Sequence, residues 1–107
     1  MDETANKSDV LLSEFADDAD MAELVEFFVT ELPDRVSALQ EALAQGNYAK
    51  LASLAHQLKG SAGGYGFPSI TEAAKQLEDT SKTTTDLEKL TEAANALVEL
   101  CGRVRAS

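Results

Sequence analysis

The chain has 107 residues, 44% of them hydrophobic, which suits one compact domain with a single core. Nineteen acidic residues against nine basic ones give a formal net charge of -10, so the surface would repel the backbone of a nucleic acid and an anionic membrane. No segment approaches the roughly 20 apolar residues that span a bilayer, and the polar N-terminal sequence lacks the features of a signal peptide. We therefore expect a cytoplasmic protein that binds neither nucleic acid nor membrane.

The composition also indicates an all-α protein, because Ala, Leu, Glu, Asp and Lys are abundant and runs of β-branched residues are few. Residues 1–8 are polar and are predicted to form a flexible tail ahead of a single helical-bundle domain over residues 9–107. An apolar cluster follows the tail and would cap the end of the bundle, and we expect a short additional helix there. The cluster comprises Val10, Leu11, Leu12 and Phe15.

The first long helix is predicted to begin near Asp20, an N-cap residue type, and to stop at Gly46. Its apolar residues recur at helical spacing, at Leu24, Phe28, Leu32, Val36, Leu39 and Leu43. Pro33 interrupts the pattern, because proline removes a backbone donor and clashes with the preceding turn. Two outcomes stay open: a kinked helix, or two helices with Pro33 in the first turn of the second.

The second helix is predicted to begin at Asn47 and to end in a cluster of glycines, Gly63, Gly64 and Gly66. Its apolar set is Tyr48, Leu51, Leu54, Ala55, Leu58, Ala62 and Tyr65. This helix also holds the residues that are most informative about function.

Two further helices follow. One should run from Pro68 to about Ser81, with Ile70, Ala73, Ala74 and Leu77 buried. The other should be capped near Thr85, with an apolar stripe of Leu87, Leu90, Ala94, Leu97, Cys101 and Val104. Four amphipathic segments with short connections predict an antiparallel four-helix bundle.

His56, the only histidine, lies in the second helix. On a helical wheel with Leu51 at zero and about 100° per residue, the apolar set falls within about 60° of zero and His56 at about 140°. A solvent-facing imidazole is therefore predicted, which weakens the alternative of a satisfied core histidine; an exposed histidine without a role stays open. The neighbours predicted on the same outer face are Ala52, Lys59, Gly60 and Gly63.

Gly60 follows His56 by four residues. Glycine inside a helix lowers stability by about 1 kcal/mol relative to alanine, so its presence here indicates a packing or functional role. A missing side chain there would let the backbone of another protein approach the ring. The neutral imidazole is a nucleophile that can accept a phosphoryl group from a carboxyl phosphate and later return it. Lys59 offers a mobile cation for the phosphoryl oxygens, and Ser61 or Gln57 could add a hydrogen bond.

Other catalytic patterns are weak in this sequence. It has no second histidine, no paired general base and no glycine loop that would bind phosphate after a strand, so self-contained kinase or hydrolase chemistry is poorly supported. One histidine with scattered carboxylates gives no metal-ligand spacing. We therefore expect a phosphate carrier without autonomous enzymatic activity and without a metal site.

Residues 55–63, which read Ala-His-Gln-Leu-Lys-Gly-Ser-Ala-Gly, closely resemble the signature of histidine-containing phosphotransfer (HPt) domains of multistep phosphorelays. The similarity extends through Gly66 to Leu77-Glu78, and upstream Phe27-Phe28 with Leu32-Pro33 also look family-like. It covers most of the chain. The abundance of glycine after residue 62 departs slightly from the pattern and leaves the end of the helix open.

The resemblance implies a four-helix bundle with His56 as the phosphoacceptor, Gln57 beside it, Lys59 stabilising the phosphoryl group and Gly60 admitting a receiver domain. It implies no cofactor of the chain's own, because the receiver brings the aspartate and Mg²⁺. The partners would be response-regulator receiver domains and a sensor histidine kinase. The docking candidates are Gly60, Gly63, Ala52, Leu11, Leu12 and Phe15.

Two other interpretations stay open. One is a helical adaptor that binds a partner without carrying phosphate, and the other is an excised domain of a chemotaxis-type kinase. Met1 and the lack of a long linker favour a free-standing protein over the tail domain of a hybrid sensor kinase, and we expect that protein to be a monomer. The sequence does not indicate which kinase and receivers it meets, or the direction of phosphate flow.

Overall fold

A computed structural model describes residues 10–106, which form four α-helices: α1 (Ala22–Ala44), α2 (Tyr48–Gly64), α3 (Pro68–Thr83) and α4 (Leu87–Cys101). Each helix packs against two others, α2 against α1 and α3, and α4 against α1 and α3. The predicted all-α, four-helix bundle is confirmed, and residues 10–106 contain no strand, only one isolated bridge. The predicted flexible tail, residues 1–8, lies outside the described residues.

All four helices contribute to one hydrophobic core. Its large members are Val25, Phe28, Leu32, Leu39, Leu51, Leu58, Phe67, Ile70, Leu77, Leu90 and Leu97. Phe28 of α1 stacks on Tyr65 and Phe67 at the far end of α2, with ring centroids 5.2 and 5.4 Å apart. This contact joins the start of α1 to the end of α2, so the two helices run antiparallel.

The start of α1 differs from the prediction. Its N-cap is Met21 instead of Asp20, because the Asp18 carboxylate accepts a hydrogen bond from the Asp20 backbone N–H and holds a turn before the helix. The residue that faces the core in the first turn is Val25, while Leu24 is exposed. Val25 precedes Phe28 by three residues and so completes the buried stripe.

Pro33 lies inside α1, which continues through it as one helix to Ala44. The predicted alternative of two separate helices is therefore wrong. The proline cannot donate the hydrogen bond that the Val29 carbonyl would otherwise accept. Leu32 and Leu39, on either side of the proline, are buried in the same core, and this burial offsets the loss.

The boundaries of α2 agree with the prediction. The Asn47 side chain accepts a hydrogen bond from the Lys50 N–H at 3.1 Å and caps the first turn. The helix ends at Gly64, and Gly66 follows with φ +87°, a left-handed conformation that favours glycine.

The last two helices differ from the prediction mainly at their ends. Helix α3 extends to Thr83, about one half-turn past Ser81. Helix α4 is capped by Asp86, whose carboxylate accepts from the Glu88 N–H at 3.0 Å, and not by Thr85. Leu87 is exposed because the buried stripe of α4 begins one turn later, at Leu90.

Residues 10–21 form turns, and the short additional helix predicted near Leu11 is not found there. The Leu11 N–H donates to the Arg103 carbonyl at 2.7 Å, and the Arg105 N–H donates to the Leu11 carbonyl at 3.0 Å. These backbone groups pair with the chain just after α4, so they are not available for a local helix.

The turn between α2 and α3 is held by the same N-terminal segment. The Ser13 hydroxyl donates to the Tyr65 carbonyl at 2.6 Å, and the Glu14 N–H donates to the Gly66 carbonyl at 2.8 Å. A Cβ on Gly66 would lie 2.6 Å from Ser13 Oγ and 2.9 Å from a ring carbon of Phe15. Glycine is required at this residue both by the backbone and by the close approach.

Candidate functional site

His56 lies midway along α2 with its side chain 65% exposed. The exposure follows from helical geometry, because the large residues that α2 buries, Leu51 and Leu58, lie on another face of the helix. The predicted solvent-facing imidazole is therefore observed. The alternative of a buried core histidine is wrong.

A carboxylate from the adjacent helix holds one side of the ring. Glu78 Oε2 lies 3.0 Å from His56 Nδ1, and the Glu78 side chain is only 5% exposed. Glu78 is buried because it lies one turn after Ala74 and next to Leu77, on the face of α3 that packs against α2. The imidazole is thus exposed to solvent, and its contact with Glu78 fixes the orientation of the ring.

Two lysines share this carboxylate. Lys59 Nζ of α2 lies 2.9 Å from Glu78 Oε1, and Lys82 Nζ of α3 donates to Glu78 Oε2, also at 2.9 Å. Both Lys82 Nζ and His56 Nδ1 therefore contact the same oxygen. A buried carboxylate that forms ion pairs with two ammonium groups in this way avoids the cost of an unpaired charge.

The pKa of Glu78 is lowered from 4.5 to about 2, first by Lys59, then by Lys82, and to a smaller extent by His56, while burial opposes the change. Glu78 is thus a carboxylate at neutral pH. Two ammonium groups against this single carboxylate leave the site with one excess positive charge, in a chain whose formal net charge is -10. An anion approaching His56 meets a locally favourable potential.

The pairing with Glu78 decides which ring nitrogen of His56 is reactive. An ionised carboxylate can only accept hydrogen bonds, so the neutral imidazole carries its proton on Nδ1 and donates it to Glu78 Oε2. The lone pair is then on Nε2, on the opposite side of the ring. This arrangement presents a nucleophilic nitrogen on an exposed side chain.

The space beside His56 is open. A Cβ added to Gly60 would meet no heavy atom within 4 Å, and one added to Gly63 would lie 3.6 Å from Thr71 Oγ1. Packing within the chain does not require glycine at either residue. The open surface at Gly60 agrees with the prediction of room for another molecule.

Other predicted site residues lie elsewhere. Gln57 faces a small groove between α1 and α2, beside Asp34 and Arg35, and not the Glu78 side of His56. Ala52 was predicted on the outer face and is instead 8% exposed, because it is covered where α2 packs on its neighbours. That placement is corrected.

The apolar residues of the N-terminal segment lie at the α2–α3 turn, two helical turns or more from His56 along α2. Leu11 and Phe15 pack against the core, whereas Leu12 is exposed. The structure thus favours the capping role for Leu11 and Phe15. Their predicted use in docking is not supported by proximity to the imidazole.

The sequence prediction missed two members of the site, Glu78 and Lys82. A signal for Glu78 was present, because a charged residue occupies the apolar stripe of α3 that continues from Ile70 and Ala74. Lys82 follows Glu78 by four residues, a spacing that brings opposite charges together on one helix.

The comparisons with known proteins agree with this geometry. The family model described as the Hpt domain matches residues 23–107. The chain therefore belongs to the Hpt domain family, whose members act in histidine phosphotransfer within phosphorelays and interact with receiver domains and kinases. No curated protein and no solved structure gives a significant match. Leu11, Leu12 and Phe15 precede the matched range.

Within residues 10–106, no helix is both long enough and apolar enough to cross a membrane. The same residues contain no group of three or more His, Cys, Asp or Glu side chains that could hold a metal ion. Cys101 is buried in the core, and burial raises the pKa of its thiol to about 12, so it remains a protonated thiol at neutral pH.

Proposed function

We propose that His56 accepts a phosphoryl group from the phospho-aspartate of a response-regulator receiver domain and passes it to the aspartate of another receiver. The observation that carries this proposal is the exposed imidazole with Nδ1 held by buried Glu78, which leaves Nε2 available as a nucleophile. Family membership supports the same chemistry. A sensor histidine kinase would supply phosphate at the start of the relay.

In the forward step, the Nε2 lone pair attacks phosphorus and the bond between phosphorus and the aspartyl oxygen breaks. The electron pair of that bond remains on the aspartate, which leaves as a carboxylate. The ring gains positive charge as Nε2 donates its pair, and the Glu78 carboxylate at Nδ1 stabilises that charge. In the return step an aspartate oxygen of the second receiver attacks phosphorus and forms the new phosphorus–oxygen bond, while the phosphorus–nitrogen bond breaks and its pair goes back to Nε2.

The chain's contribution in this proposal is a nucleophile and a docking surface. Lys59 neutralises charge on the phosphoryl oxygens, and Gly60 leaves room for the backbone of the receiver. The receiver would bring Mg²⁺, which stabilises negative charge during in-line transfer. We propose no autonomous kinase or hydrolase activity and no cofactor bound by the chain itself.

Incubation with a phosphorylated receiver and Mg²⁺ tests the proposal directly. The chain should gain phosphate that is labile in acid and stable in alkali, as expected for a phosphoramidate. His56→Gln should remove all of it while the helical circular dichroism stays unchanged, because the side chain is exposed and contributes little packing. Phosphate that persists in the variant, or a wild-type chain that gains none, would refute the assignment.

The adaptor interpretation predicts a different result. A chain that only binds its partner should retain its output in the His56→Gln variant. A strain that lacks this chain, complemented with wild type or with His56→Gln, separates the two interpretations. Loss of the pathway's output with His56→Gln supports phosphate transfer.

A further inference from the structure

We propose that Arg35 of α1 is a docking residue, whose guanidinium donates a hydrogen bond to a backbone carbonyl oxygen of the docked receiver domain. The inference rests on the proposed function and deepens it, because it names a contact that holds the receiver on the α1 side of His56. Arg35 takes no part in binding the phosphoryl group or in the chemical step.

Arg35 lies in the groove between α1 and α2, a cavity of about 190 Å³ beside the phosphoacceptor helix. The buried side chains of Leu39 and Leu58 line this groove, and the exposed Gln57 lies on its α2 side. Arg35 itself is half-buried. Its guanidinium is thus only partly solvated, and each of its N–H groups that is hidden from water needs an acceptor.

The chain leaves a donor of this guanidinium without an acceptor. Arg35 Nε is buried and has no hydrogen-bond partner within residues 10–106. Glu31 precedes Arg35 by four residues, a spacing that favours an ion pair, and Asp34 lines the same groove, yet the structure pairs neither carboxylate with it. A buried N–H without an acceptor lowers stability, and an acceptor supplied by a partner would remove this cost.

The other side of His56 differs in this respect. On the α3 side, the two oxygens of Glu78 contact the ammonium groups of Lys59 and Lys82, each at 2.9 Å. The charged groups on that side therefore have partners within the chain. Arg35 is the cation beside the phosphoacceptor helix whose donors are available to another protein.

A receiver docked over His56 would extend to this groove. Gln57 follows His56 by one residue and precedes Gly60 by three, so it connects the open surface at Gly60 with the groove. A standard protein interface covers about 800 Å² on each partner, which corresponds to a radius of roughly 16 Å. A footprint of that size centred on His56 includes the adjacent groove.

The charges around the groove indicate an uncharged acceptor. Glu31 and Asp34 are both exposed there and would repel a carboxylate that approached Arg35. A backbone carbonyl carries no net charge and still forms a charge-assisted hydrogen bond with a guanidinium. Gly60 leaves room for the receiver's backbone, so the same segment of the receiver can bring a carbonyl oxygen to Arg35.

The test measures phosphate transfer from one phosphorylated receiver at a series of receiver concentrations, with wild type, Arg35→Met, Arg35→Lys and Arg103→Met. The matched control is Arg103, which follows α4 and has a side chain that is 27% exposed. Its removal changes the net charge of the chain as much as removal of Arg35 does. Helix α4 does not pack against α2, so the control lies away from the groove.

Arg35→Met should raise KM about tenfold and change kcat by less than about twofold, because the lost hydrogen bond holds the receiver while His56 and Glu78 are unchanged. Arg35→Lys should raise KM about threefold, since lysine keeps the charge but has no donor at the position of Nε. Arg103→Met should match wild type within about twofold.

Thermal unfolding separates a docking role from a structural one. Arg35→Met should unfold at or above the wild-type midpoint, because the substitution removes a buried donor that has no acceptor and keeps an apolar side chain of similar length. A raised KM together with a lowered midpoint would mean that Arg35 shapes the groove without contacting the receiver, and the inference would be wrong.

The salt dependence of the same rates tests the chemistry of the acceptor. With an uncharged acceptor, the ratio of the Arg35→Met and wild-type KM values should change by less than about twofold between about 0.05 and 0.5 M salt. A ratio that falls steeply with salt would indicate a carboxylate and contradict the inference. A wild-type KM for Arg35→Met would overturn it while leaving the role of His56 intact. A wild-type chain that gains no phosphate would overturn both.

Discussion

Helices α2 and α3 have two contrasting regions: the middle of the pair, around His56 and Gly60, and the turn that joins them, around Gly66. Both regions contain glycine, but the glycines serve opposite purposes. In the middle, Gly60 borders open space and the histidine side chain is exposed above a carboxylate. At the turn end, Gly66 lies against Ser13 and Phe15, and the N-terminal segment is closed over it by hydrogen bonds. The turn end thus stabilises the pair of helices, and the middle is left open for chemistry with another molecule.

This difference predicts that substitutions in the middle change phosphate transfer with little effect on stability. Substitutions at the turn end should do the reverse. Each of the following variants tests one side of that separation, and each is paired with a residue of similar chemistry in another environment.

Gly60→Glu should have the largest effect, slowing transfer from a phosphorylated receiver about a hundredfold. The new side chain would occupy the approach to His56 and add negative charge beside the phosphoryl group. The midpoint of thermal unfolding should stay close to that of wild type, because a Cβ there meets nothing within 4 Å.

Gly64→Glu is the matched control, since Gly64 also borders open space and lies one helical turn further from His56. It should slow transfer by no more than about threefold, because the added charge is screened over that distance. Equal rates for the two variants would mean that the surface at Gly60 is not where the receiver approaches.

Gly66→Ala should lower the free energy of unfolding by about 2 kcal/mol or more, measured by urea denaturation. Alanine is strained at φ +87°, and its Cβ would lie 2.6 Å from Ser13 Oγ. Gly46→Ala, at φ +69° with no atom within 4 Å, has the backbone strain alone and should cost about 1 kcal/mol. Similar losses for both would show that the contact with the N-terminal segment is not important for stability.

Glu78→Gln should slow transfer about tenfold, because a neutral amide cannot compensate the positive charge that develops on the ring. The rate is measured by rapid quench with a phosphorylated receiver in excess. Asp79→Asn, one residue away on the exposed face of α3, provides the control and should transfer at the wild-type rate. Slow transfer in both variants would indicate a general effect of charge on α3.

The pH dependence of stability should change in the same Glu78→Gln variant, with the smallest effect of the four. The folded state holds the pKa of Glu78 at about 2, below its ordinary value of 4.5, so the ionised side chain stabilises the fold above pH 4.5. This contribution is lost as the pH falls from 4.5 towards 2. As the pH falls through that window, the thermal midpoint of wild type should therefore decrease more than that of the variant. A constant difference across it would contradict the ion-pair cluster.

The features that lie within a single helix were predicted well from the sequence. The spacing of apolar residues on α2 predicted that His56 faces solvent, and the residue types at Asn47 and Gly66 predicted the two ends of that helix. These features depend on local geometry and on backbone preferences, which the order of residues determines directly. The four-helix fold follows from the same periodicity.

Contacts between helices were harder to predict. Pairing of His56 with Glu78 depends on the register of α2 against α3, and residues 22 apart meet only when that register is known. Exposure of Leu24 and Leu87 depends on which face of each helix packs against the core, and the sequence of one helix does not specify this. The burial of Ala52 could not be predicted for the same reason, because residues outside α2 cover it.

The central claim is that Glu78 holds the proton of His56 on Nδ1 and leaves Nε2 to carry the phosphoryl group. Long-range ¹H–¹⁵N NMR of the imidazole, recorded at about pH 8 before and after phosphorylation, measures both states. The account predicts a protonated Nδ1 and an unprotonated Nε2 in the free chain, with phosphorus bonded to Nε2 afterwards. A proton on Nε2 in the free chain, or phosphorus on Nδ1, would contradict it.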